Sequence, residues 1–160
     1  MTPDKDEFRQ VMGRFATGVT IVTSRLGEEL HGMTANAVTS VSLEPPLVLI
    51  CIDKSADSHD IIESSGIFAL SILGLEQEGL SNDFAVKEGA AAHRLGGVPH
   101  HTRATGAPII DGSLAYLDCR VVERYTGGDH TVFIGEVVDA GRLNDQGPLI
   151  FYQGSYGGLA

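Results

Sequence analysis

The sequence predicts a mainly β fold with short helices, in which an antiparallel sheet forms a closed or nearly closed barrel. Roughly six or seven segments have the β-branched and apolar composition of strands. The connections between them are short and few are helical, whereas parallel sheets need long crossovers that are usually helices. The 160 residues show no internal repeat and no domain boundary, so we expect one domain over residues 1–160.

An amphipathic helix is predicted near the N-terminus. Its apolar side chains recur at the spacing of one helical face: Phe8, Val11, Met12 and Phe15. Asp4 and Glu7 have the spacing of a capping box at its start, and Gly18 is expected to end it. The β-branched run at residues 19–23 then predicts the first strand.

Residues 32–46 are the most informative part of the chain. They combine small and hydroxyl-bearing side chains with one amide, Asn36, and they end at Pro45 and Pro46. Such a surface leaves room for a flat ring and offers hydrogen-bond partners for ring carbonyls and phosphate oxygens. A Ser/Thr-rich strand followed by a tight turn would have the same composition. The apolar run at residues 47–52 predicts a strand that is buried on both faces.

Two more helices and a long loop are predicted in the middle of the chain. Residues 58–64 indicate a short helix with Ser58 as a candidate cap, and residues 76–85 indicate another. Residues 67–73 form a buried strand between them. Residues 87–107 contain glycine, proline and paired histidines, and they predict a long loop of the kind that is often functional or mobile.

The last part of the chain is predicted to contain three strands. Apolar residues alternate with polar ones such as Asp118 over residues 117–121, which predicts a half-buried strand whose polar side chains face solvent. A Gly-Gly-Asp turn at residues 127–129 leads into a strand at residues 131–138. Residues 149–152 form a last short strand that completes the predicted barrel.

The formal net charge of −10 excludes whole classes of partner. An acidic surface repels phosphate backbones and anionic headgroups, so we expect neither nucleic acid nor a membrane as a partner. An anionic ligand would need local cations or backbone N–H groups, which draws attention to Lys54 after the apolar run. Because no apolar signal segment and no run of spanning length is present, cytoplasmic residence is predicted.

Several chemistries are disfavoured because their motifs are missing. Cys51 and Cys119 lie in apolar segments without a C-x-x-C spacing, so both are predicted to be reduced core side chains. The histidines show no metal-ligand spacing, and no metal site is predicted. No two glycines are separated by a single residue, which rules out the G-x-G-x-x-G dinucleotide fingerprint. A P-loop and a G-x-S-x-G motif are also missing.

The chain resembles the short-chain flavin reductases of two-component monooxygenase systems, which have the FMN-binding split-barrel fold. The matching segments follow the family order and spacing over nearly the whole length: residues 17–23, 32–55, 80–81, 84–85, 106–108, 114–119, 128–131 and 134–137. The resemblance implies a homodimer that binds FMN or FAD near the subunit interface. It also implies hydride transfer from NADH or NADPH to the flavin, and delivery of reduced flavin to a partner oxygenase component.

The resemblance, carried over position by position, also implies the site residues. The isoalloxazine and ribityl groups would be lined by Met33, Thr34, Asn36 and Ala37, and the ring bordered by Cys51, Ile52 and Asp53. The phosphate would be approached by Lys54, Ser55 and Ser58 and enclosed by Phe84, Ala85 and Lys87. The nicotinamide would be contacted by His130 as the catalytic residue and enclosed by Phe151, Tyr152, Gln153 and Gly154.

Two positions depart from the family pattern, and both lose a positive charge. Asp83 precedes the Phe-Ala pair where a basic residue is frequent, and Gln153 follows the final aromatic residue where arginine is frequent. Both changes disfavour the additional phosphate of NADPH. Without the resemblance, His130 would be interpreted as an exposed turn histidine. Two other functions stay open: a flavin-binding or storage protein without activity, and a flavoprotein oxidoreductase acting on another small substrate beneath residues 87–107.

Overall fold

The structure, a computed structural model, describes residues 1–86 and 95–160. Within this part of the chain the helices are α1 (Lys5–Met12), α2 (Asp57–Ser65) and α3 (Glu78–Phe84), and a 3-10 turn at Leu75–Gln77 leads into α3. The predicted contact of Lys87 with the flavin lies outside the described residues. The helices expected near residues 58–64 and 76–85 are confirmed.

The strands of the described residues are β1 (Thr17–Gly18), β2 (Thr20–Leu26), β3 (Glu29–Ala35), β4 (Val38–Leu43), β5 (Pro46–Asp53), β6 (Ile67–Ile72), β7 (His100–Thr102), β8 (Pro108–Ile110), β9 (Ala115–Gly127), β10 (His130–Arg142), β11 (Ile150–Tyr152) and β12 (Ser155–Gly157). One seven-stranded sheet has the order β3-β2-β6-β9-β10-β5-β4, with every neighbouring pair antiparallel. β1, β11 and β12 form a small sheet, and β7 pairs with β8. The predicted mainly β, antiparallel fold is confirmed.

The two edges of the large sheet meet at one seam. β3 and β4 lie at opposite ends of the strand order, although only Asn36 and Ala37 separate them in the chain. Three consecutive Cα–Cα steps span at most about 11 Å, so the sheet has to curl until its edges approach each other. β3 and β4 do not pair with each other, which leaves the barrel open along this seam. The predicted split barrel is therefore confirmed.

Large apolar side chains fill the barrel, and α2 packs against them. One buried cluster joins strand residues to α2: Val22, Ile50, Ile52, Phe68, Leu70, Phe133 and Ile62. A second cluster lies beside α3: Val19, Ile21, Leu73, Phe84, Ile110 and Leu149. Burial of such side chains contributes about 1.5–3 kcal/mol each, so these two clusters hold the helices against the sheet.

β5 alternates between core and surface. Val48, Ile50 and Ile52 are buried, whereas the side chains between them are only partly buried: Leu47, Leu49 and Cys51. The predicted burial of both faces is therefore wrong. The reason is that β5 belongs to a curled single sheet, in which only one face of each strand points to the core.

α1 begins where the sequence predicts, but it ends earlier. Asp4 caps it, since Asp4 Oδ1 accepts a hydrogen bond from the Glu7 N–H at 2.8 Å. The helix ends at Met12 with Gly13 as its C-cap, so the predicted end at Gly18 is wrong. The apolar side chains of the helix are uncovered, with exposed fractions of 57% for Phe8, 58% for Val11 and 52% for Met12, and Phe15 beyond its end is 71% exposed.

Two polar residues are buried where the sequence predicts a cap or a solvent-facing side chain. The N-cap of α2 is Ala56, and the hydroxyl of Ser58 instead lies 2.6 Å from His31 Nδ1 on β3. Asp118 is fully buried, and its carboxylate accepts hydrogen bonds from the backbone N–H and the hydroxyl of Thr105. Both predictions are wrong because the partner of each side chain is distant in the sequence.

The predicted loop at residues 87–107 contains a strand, β7, in its described part. On it, His100 Nδ1 lies 2.7 Å from the Val98 carbonyl oxygen, and His101 Nδ1 lies 2.7 Å from Asp111 Oδ1. The structure of residues 87–94 is outside the described part. Among the described helices, none has the length and apolar character needed to cross a bilayer.

Gly135 on β10 provides a test of the packing between sheet and core. A Cβ there would lie 2.7 Å from Phe68 Cε1 and 3.0 Å from Cys119 Cβ. We expect Gly135→Ala to lower the free energy of unfolding by about 1–3 kcal/mol, the usual cost of overpacking. In the control Gly79→Ala the new Cβ meets nothing within 4 Å, so alanine should stabilise α3 by up to about 1 kcal/mol. Equal urea midpoints for the two variants would contradict this packing.

Candidate functional site

The end of β5 and the start of β10 bring several predicted site residues together. Their antiparallel register sets Asp53 opposite His130, with Cys51 two residues earlier on β5. The chain leaves β5 through Lys54, whose backbone N–H donates to the Asp129 carbonyl at 2.9 Å. A thiol, a carboxylate, an ammonium group and an imidazole therefore belong to the same end of the sheet.

The His130 ring is oriented by the residue before it. Its Nδ1 lies 2.7 Å from Asp129 Oδ1, and the side chain is 40% exposed. The hydrogen bond from His130, aided by the attraction between the charges, lowers the pKa of the Asp129 carboxyl. An Nδ1–H that donates to this carboxylate leaves Nε2 to face a ligand. Sequence reasoning gave Asp129 no role, although an Asp-His pair after a Gly-Gly turn was a signal for it.

A tight turn joins β5 to α2. The Ser55 N–H and hydroxyl both donate to Asp53 Oδ1, at 2.8 and 2.7 Å. α2 then begins without a side-chain cap hydrogen bond, and the His59 N–H of its first turn donates to the Ala56 carbonyl at 3.0 Å. The N–H groups of Asp57 and Ser58 are left for an anion. Asp57 and Asp60 lie in the same turn. An anion bound here would therefore also need the exposed Lys54 as a counter-charge.

Asn36 and Ala37 form the seam of the barrel beside the end of β5. Both residues are exposed. The Cys51 N–H donates to the Ala37 carbonyl at 3.1 Å, which fixes the seam against β5. Asn36 directly precedes this contact, so its amide lies at the open edge of the barrel.

Ser81 on α3 connects β3 to the hairpin formed by β11 and β12. Thr34 Oγ1 donates to the Ser81 carbonyl at 2.6 Å, and the Ser81 hydroxyl lies 2.6 Å from Tyr156 Oη. The Tyr156 ring packs against Phe151 with 5.4 Å between centroids. Ala85 ends α3 as an exposed C-cap. The sequence analysis gave Ser81 no role of its own, because nothing in the sequence distinguishes a buried serine from an exposed one. It noted Ser81 only within the matching segment at residues 80–81.

Three predicted ligand contacts are buried inside the fold. Ile52 is 0% exposed, and Ser58 and Phe84 are each 3% exposed. Phe84 packs on β3, where a Cβ at Gly32 would come within 3.3 Å of its ring. Met33, the next residue on β3, is partly buried against the other core cluster, which contains Val22 and Phe68. The side chains of Ile52, Ser58 and Phe84 belong to the interior, so their contact with a flavin stays a prediction that concerns their backbone.

The predicted nicotinamide side lies on the β11-β12 hairpin. Its loop is Gln153 and Gly154, with φ angles of 51° and 75°, as tight hairpin turns with two positive φ angles require. The Gln153 N–H donates to the Gly13 carbonyl at 2.9 Å. When the side-chain amide of Gln153 is oriented with its oxygen toward the Arg14 guanidinium, Gln153 Oε1 accepts hydrogen bonds from Arg14 Nη1 at 2.8 Å and from Arg14 Nε at 3.0 Å. A cavity of about 450 Å³ lies beside Tyr152.

The groups at the end of β5 suit a flat ligand that carries a phosphate. The exposed Asn36 amide, the Lys54 ammonium and the open N–H groups of α2 are donors for ring and phosphate oxygens. The partly buried Met33 and Cys51 supply apolar contact. These residues fit a flavin. Across residues 1–86 and 95–160, no group of three or more His, Cys, Asp or Glu side chains could hold a metal ion.

An open antiparallel barrel with these donors at its strand ends defines the flavin-binding split-barrel class. The chain belongs to the flavin reductase family within it, because the family profile described as "Flavin reductase like domain" matches residues 12–160. The resemblance stated from the sequence is thereby confirmed. The match includes every described helix and strand except α1, of which it covers only Met12.

Relatives of this chain carry related names. An NADH-dependent flavin reductase of a Rhodococcus species is 44% identical over 154 residues, which cover 94% of this chain and 84% of the relative. The reductase component of a 4-nitrophenol 4-monooxygenase/4-nitrocatechol 2-monooxygenase from Rhodococcus opacus is 41% identical over 154 residues. This alignment covers 96% of this chain and 80% of the relative. The solved NADH:FAD oxidoreductase of Streptomyces globisporus, in complex with NAD and FAD fragments, superposes with a TM-score of 0.91 at 41% identity, covering 98% of this chain and 93% of that one.

The two free thiols should differ in reactivity. Burial raises the pKa of Cys119 to about 12, with a further contribution from Asp118, whereas Cys51 is partly exposed and desolvation alone raises its pKa. We expect iodoacetamide at mildly alkaline pH to alkylate Cys51 first. Saturating FMN should slow this reaction, because the predicted ring position covers Cys51. Peptide mass spectrometry measures both rates, and equal rates for the two thiols or no protection by FMN would argue against the site.

Proposed function

We propose that this protein is an NADH-dependent flavin reductase that supplies reduced FMN or FAD to a partner oxygenase component. The observation that carries the proposal is the family match over residues 12–160, supported by the pairing of Asp53 with His130 at the strand ends. Relatives with these activities in their names are 41–44% identical. We further propose that residues 1–160 act as one domain in the cytoplasm, as expected from the sequence.

The residues around the seam bind and orient the flavin. The bound flavin supplies the redox chemistry, since it can accept a hydride from NADH. Lys54 and the first-turn N–H groups of α2 hold its phosphate. Asn36 hydrogen-bonds to ring or ribityl oxygens, and Met33 and Cys51 pack against the ring. Because the protein as a whole is acidic, these local donors provide the attraction for the phosphate that a positively charged surface would provide elsewhere.

His130 positions the nicotinamide. Asp129 holds Nδ1 of the ring, so Nε2 is directed to the carboxamide of the nicotinamide. The residues of the hairpin loop, Gln153 and Gly154, close this side. Asp83 is acidic and exposed, which disfavours the additional phosphate of NADPH and supports NADH as the donor.

The proposed active species is a homodimer. The outer face of the sheet and the edge strand β4 leave apolar side chains exposed or partly exposed: Val41 at 47%, Leu43 at 95%, and Leu47 and Leu49 at intermediate levels. Apolar surface beside an open seam is stabilised when a second copy covers it. Light scattering should therefore give the mass of two chains. A fully active monomer at micromolar concentration would contradict this part of the proposal.

Mixing the purified protein with NADH and excess FMN tests the function. Continuous NADH oxidation at substoichiometric protein is the result expected of a reductase. A single stoichiometric bleaching of the flavin would instead indicate a flavoprotein that acts on another substrate, and no reaction would indicate a binding or storage protein. Repeating the assay with FAD and with NADPH ranks the cofactors.

Replacing Asn36 tests the seam as the flavin site. We expect Asn36→Leu to weaken flavin binding roughly ten-fold or more, because an unpaired polar group costs about 1–3 kcal/mol. The melting temperature should barely change, since Asn36 is exposed. Asn36→Gln is the matched control, since it keeps both the donor and the acceptor of the amide and should lose less affinity. Fluorescence titration that gives wild-type flavin affinity for Asn36→Leu would remove Asn36 from the site.

His130→Ala tests the nicotinamide contact. We expect a higher KM for NADH or a slower hydride transfer, by up to about a hundred-fold if positioning is lost, with little change in flavin affinity. His101→Ala is a matched control, because its Nδ1 also lies 2.7 Å from a carboxylate and its side chain is 39% exposed. Anaerobic single-turnover reduction separates binding from chemistry. Equal kinetics for the two variants would leave His130 as a surface residue.

A further inference from the structure

The apolar face of α1 has no partner in the described chain. Phe8, Val11 and Met12 share this face, and Phe15 follows in the turn after the helix; all four are 52–71% exposed, and none of the eight residues of α1 is buried. A helix of this length is marginal on its own in water, and monomers seldom expose apolar patches larger than a few hundred Å². A contact from outside the described residues is therefore needed to cover it.

The end of α1 is fixed to the hairpin tip. The Gly13 carbonyl accepts from the Gln153 N–H at 2.9 Å, and a Cβ on Gly13 would lie 3.6 Å from Gln153 Cα. Arg14 Nη1 donates to Gln153 Oε1 at 2.8 Å in the satisfied amide orientation. α1 is therefore an arm that projects from a defined anchor.

The same chain carries a groove that matches this arm. The sheet of β1, β11 and β12 packs one face on the core through Phe151 and Tyr156. Uncharged residues around the cavity of about 450 Å³ form what we term the hairpin groove: Ala16, Ile150, Tyr152, Ser155, Tyr156, Gly157 and Gly158. No residue of α1 lines this cavity. A Cβ on Gly157 would meet nothing within 4 Å, so the groove is open.

The charge pattern favours a second copy as the occupant. No side chain over residues 146–160 is charged, in a chain whose net charge is −10. Copies of an acidic protein repel each other where their carboxylates come together. The hairpin groove carries no carboxylate side chain, so a second copy can approach it without this repulsion. The arm presents only apolar side chains to it, which suits neither nucleic acid nor a charged lipid surface.

We propose that α1 of one copy packs into the hairpin groove of a second copy, while α1 of that copy packs into the groove of the first. Two identical contacts related by a two-fold axis close the assembly. The inference rests on the homodimer of the proposed function and adds an arm to it. Because a buried aromatic side chain covers about 150–250 Å², the two arms would bury on the order of 1,000 Å², the lower size limit of specific interfaces.

The arm would complete the nicotinamide side of the site. Tyr152 lines the hairpin groove, and the next residue, Gln153, forms the hairpin loop. A partner helix against these residues would hold the loop in place. Loss of the arm should therefore raise the KM for NADH and leave flavin affinity nearly unchanged.

Disulfide trapping tests the arrangement. A chain with both Val11→Cys and Gly157→Cys should form a covalent dimer on mild oxidation, because disulfides need Cα atoms about 4.4–6.8 Å apart. The matched control combines Gln10→Cys with Gly157→Cys, which moves the first thiol to the opposite side of α1. A non-reducing gel with a free-thiol count distinguishes the outcomes. A monomer with an internal disulfide, or one with all thiols free, would overturn the inference.

Charges placed on the arm give a second measurement. Phe8→Asp with Phe15→Asp should shift the mass in light scattering toward the monomer and raise the KM for NADH several-fold. Gln10→Asp puts a charge on the opposite face and should change neither. Unchanged mass and KM in the double variant would overturn the inference even if the wild type is an active reductase. If the wild type dimerises through α1 but does not oxidise NADH, the proposed function is rejected and the inference about α1 stands.

Discussion

The pairing of β10 with both β9 and β5 is the constraint on which the rest of the site depends. A shift of one residue would move every side chain of β10 to the other face of the sheet. It would take Phe133 out of the core and His130 away from Asp53. The close approach of Gly135 to the Phe68 ring admits no Cβ and so fixes this register. The position of the candidate catalytic histidine is therefore a consequence of core packing.

The second requirement is the placement of α2. Ser58 holds the helix to His31 on β3, and His59 Nε2 lies 2.7 Å from Thr131 Oγ1 on β10. These two contacts set the uncapped start of α2 beside the seam of the barrel. An anionic cofactor can then bind to an acidic protein, because backbone N–H groups and the single ammonium of Lys54 act at short range while the repelling charges are screened.

Local patterns were sufficient to locate the three helices and six of the strands, β2, β5, β6, β9, β10 and β11, because capping and periodicity depend on neighbours in the sequence. They failed where the partner is distant: Ser58 has the position of a cap but pairs with His31, and Asp118 has the pattern of a surface residue but pairs with Thr105. The site residues came from the resemblance, which identifies positions and not side-chain directions. The burial of the Ser58 side chain, which the resemblance places near the phosphate, could therefore be seen only in the structure.

Stereospecific hydride transfer is the most direct test of a site that holds the nicotinamide against the flavin. The measurement uses NADH with deuterium at one or the other position of C4, excess FMN and catalytic protein, followed by mass spectrometry of the NAD⁺ formed. We expect one labelled form to lose its deuterium and the other to keep it, because a bound nicotinamide presents one face. Loss of deuterium from both forms alike, or no formation of NAD⁺, would contradict the site and the function assigned to it.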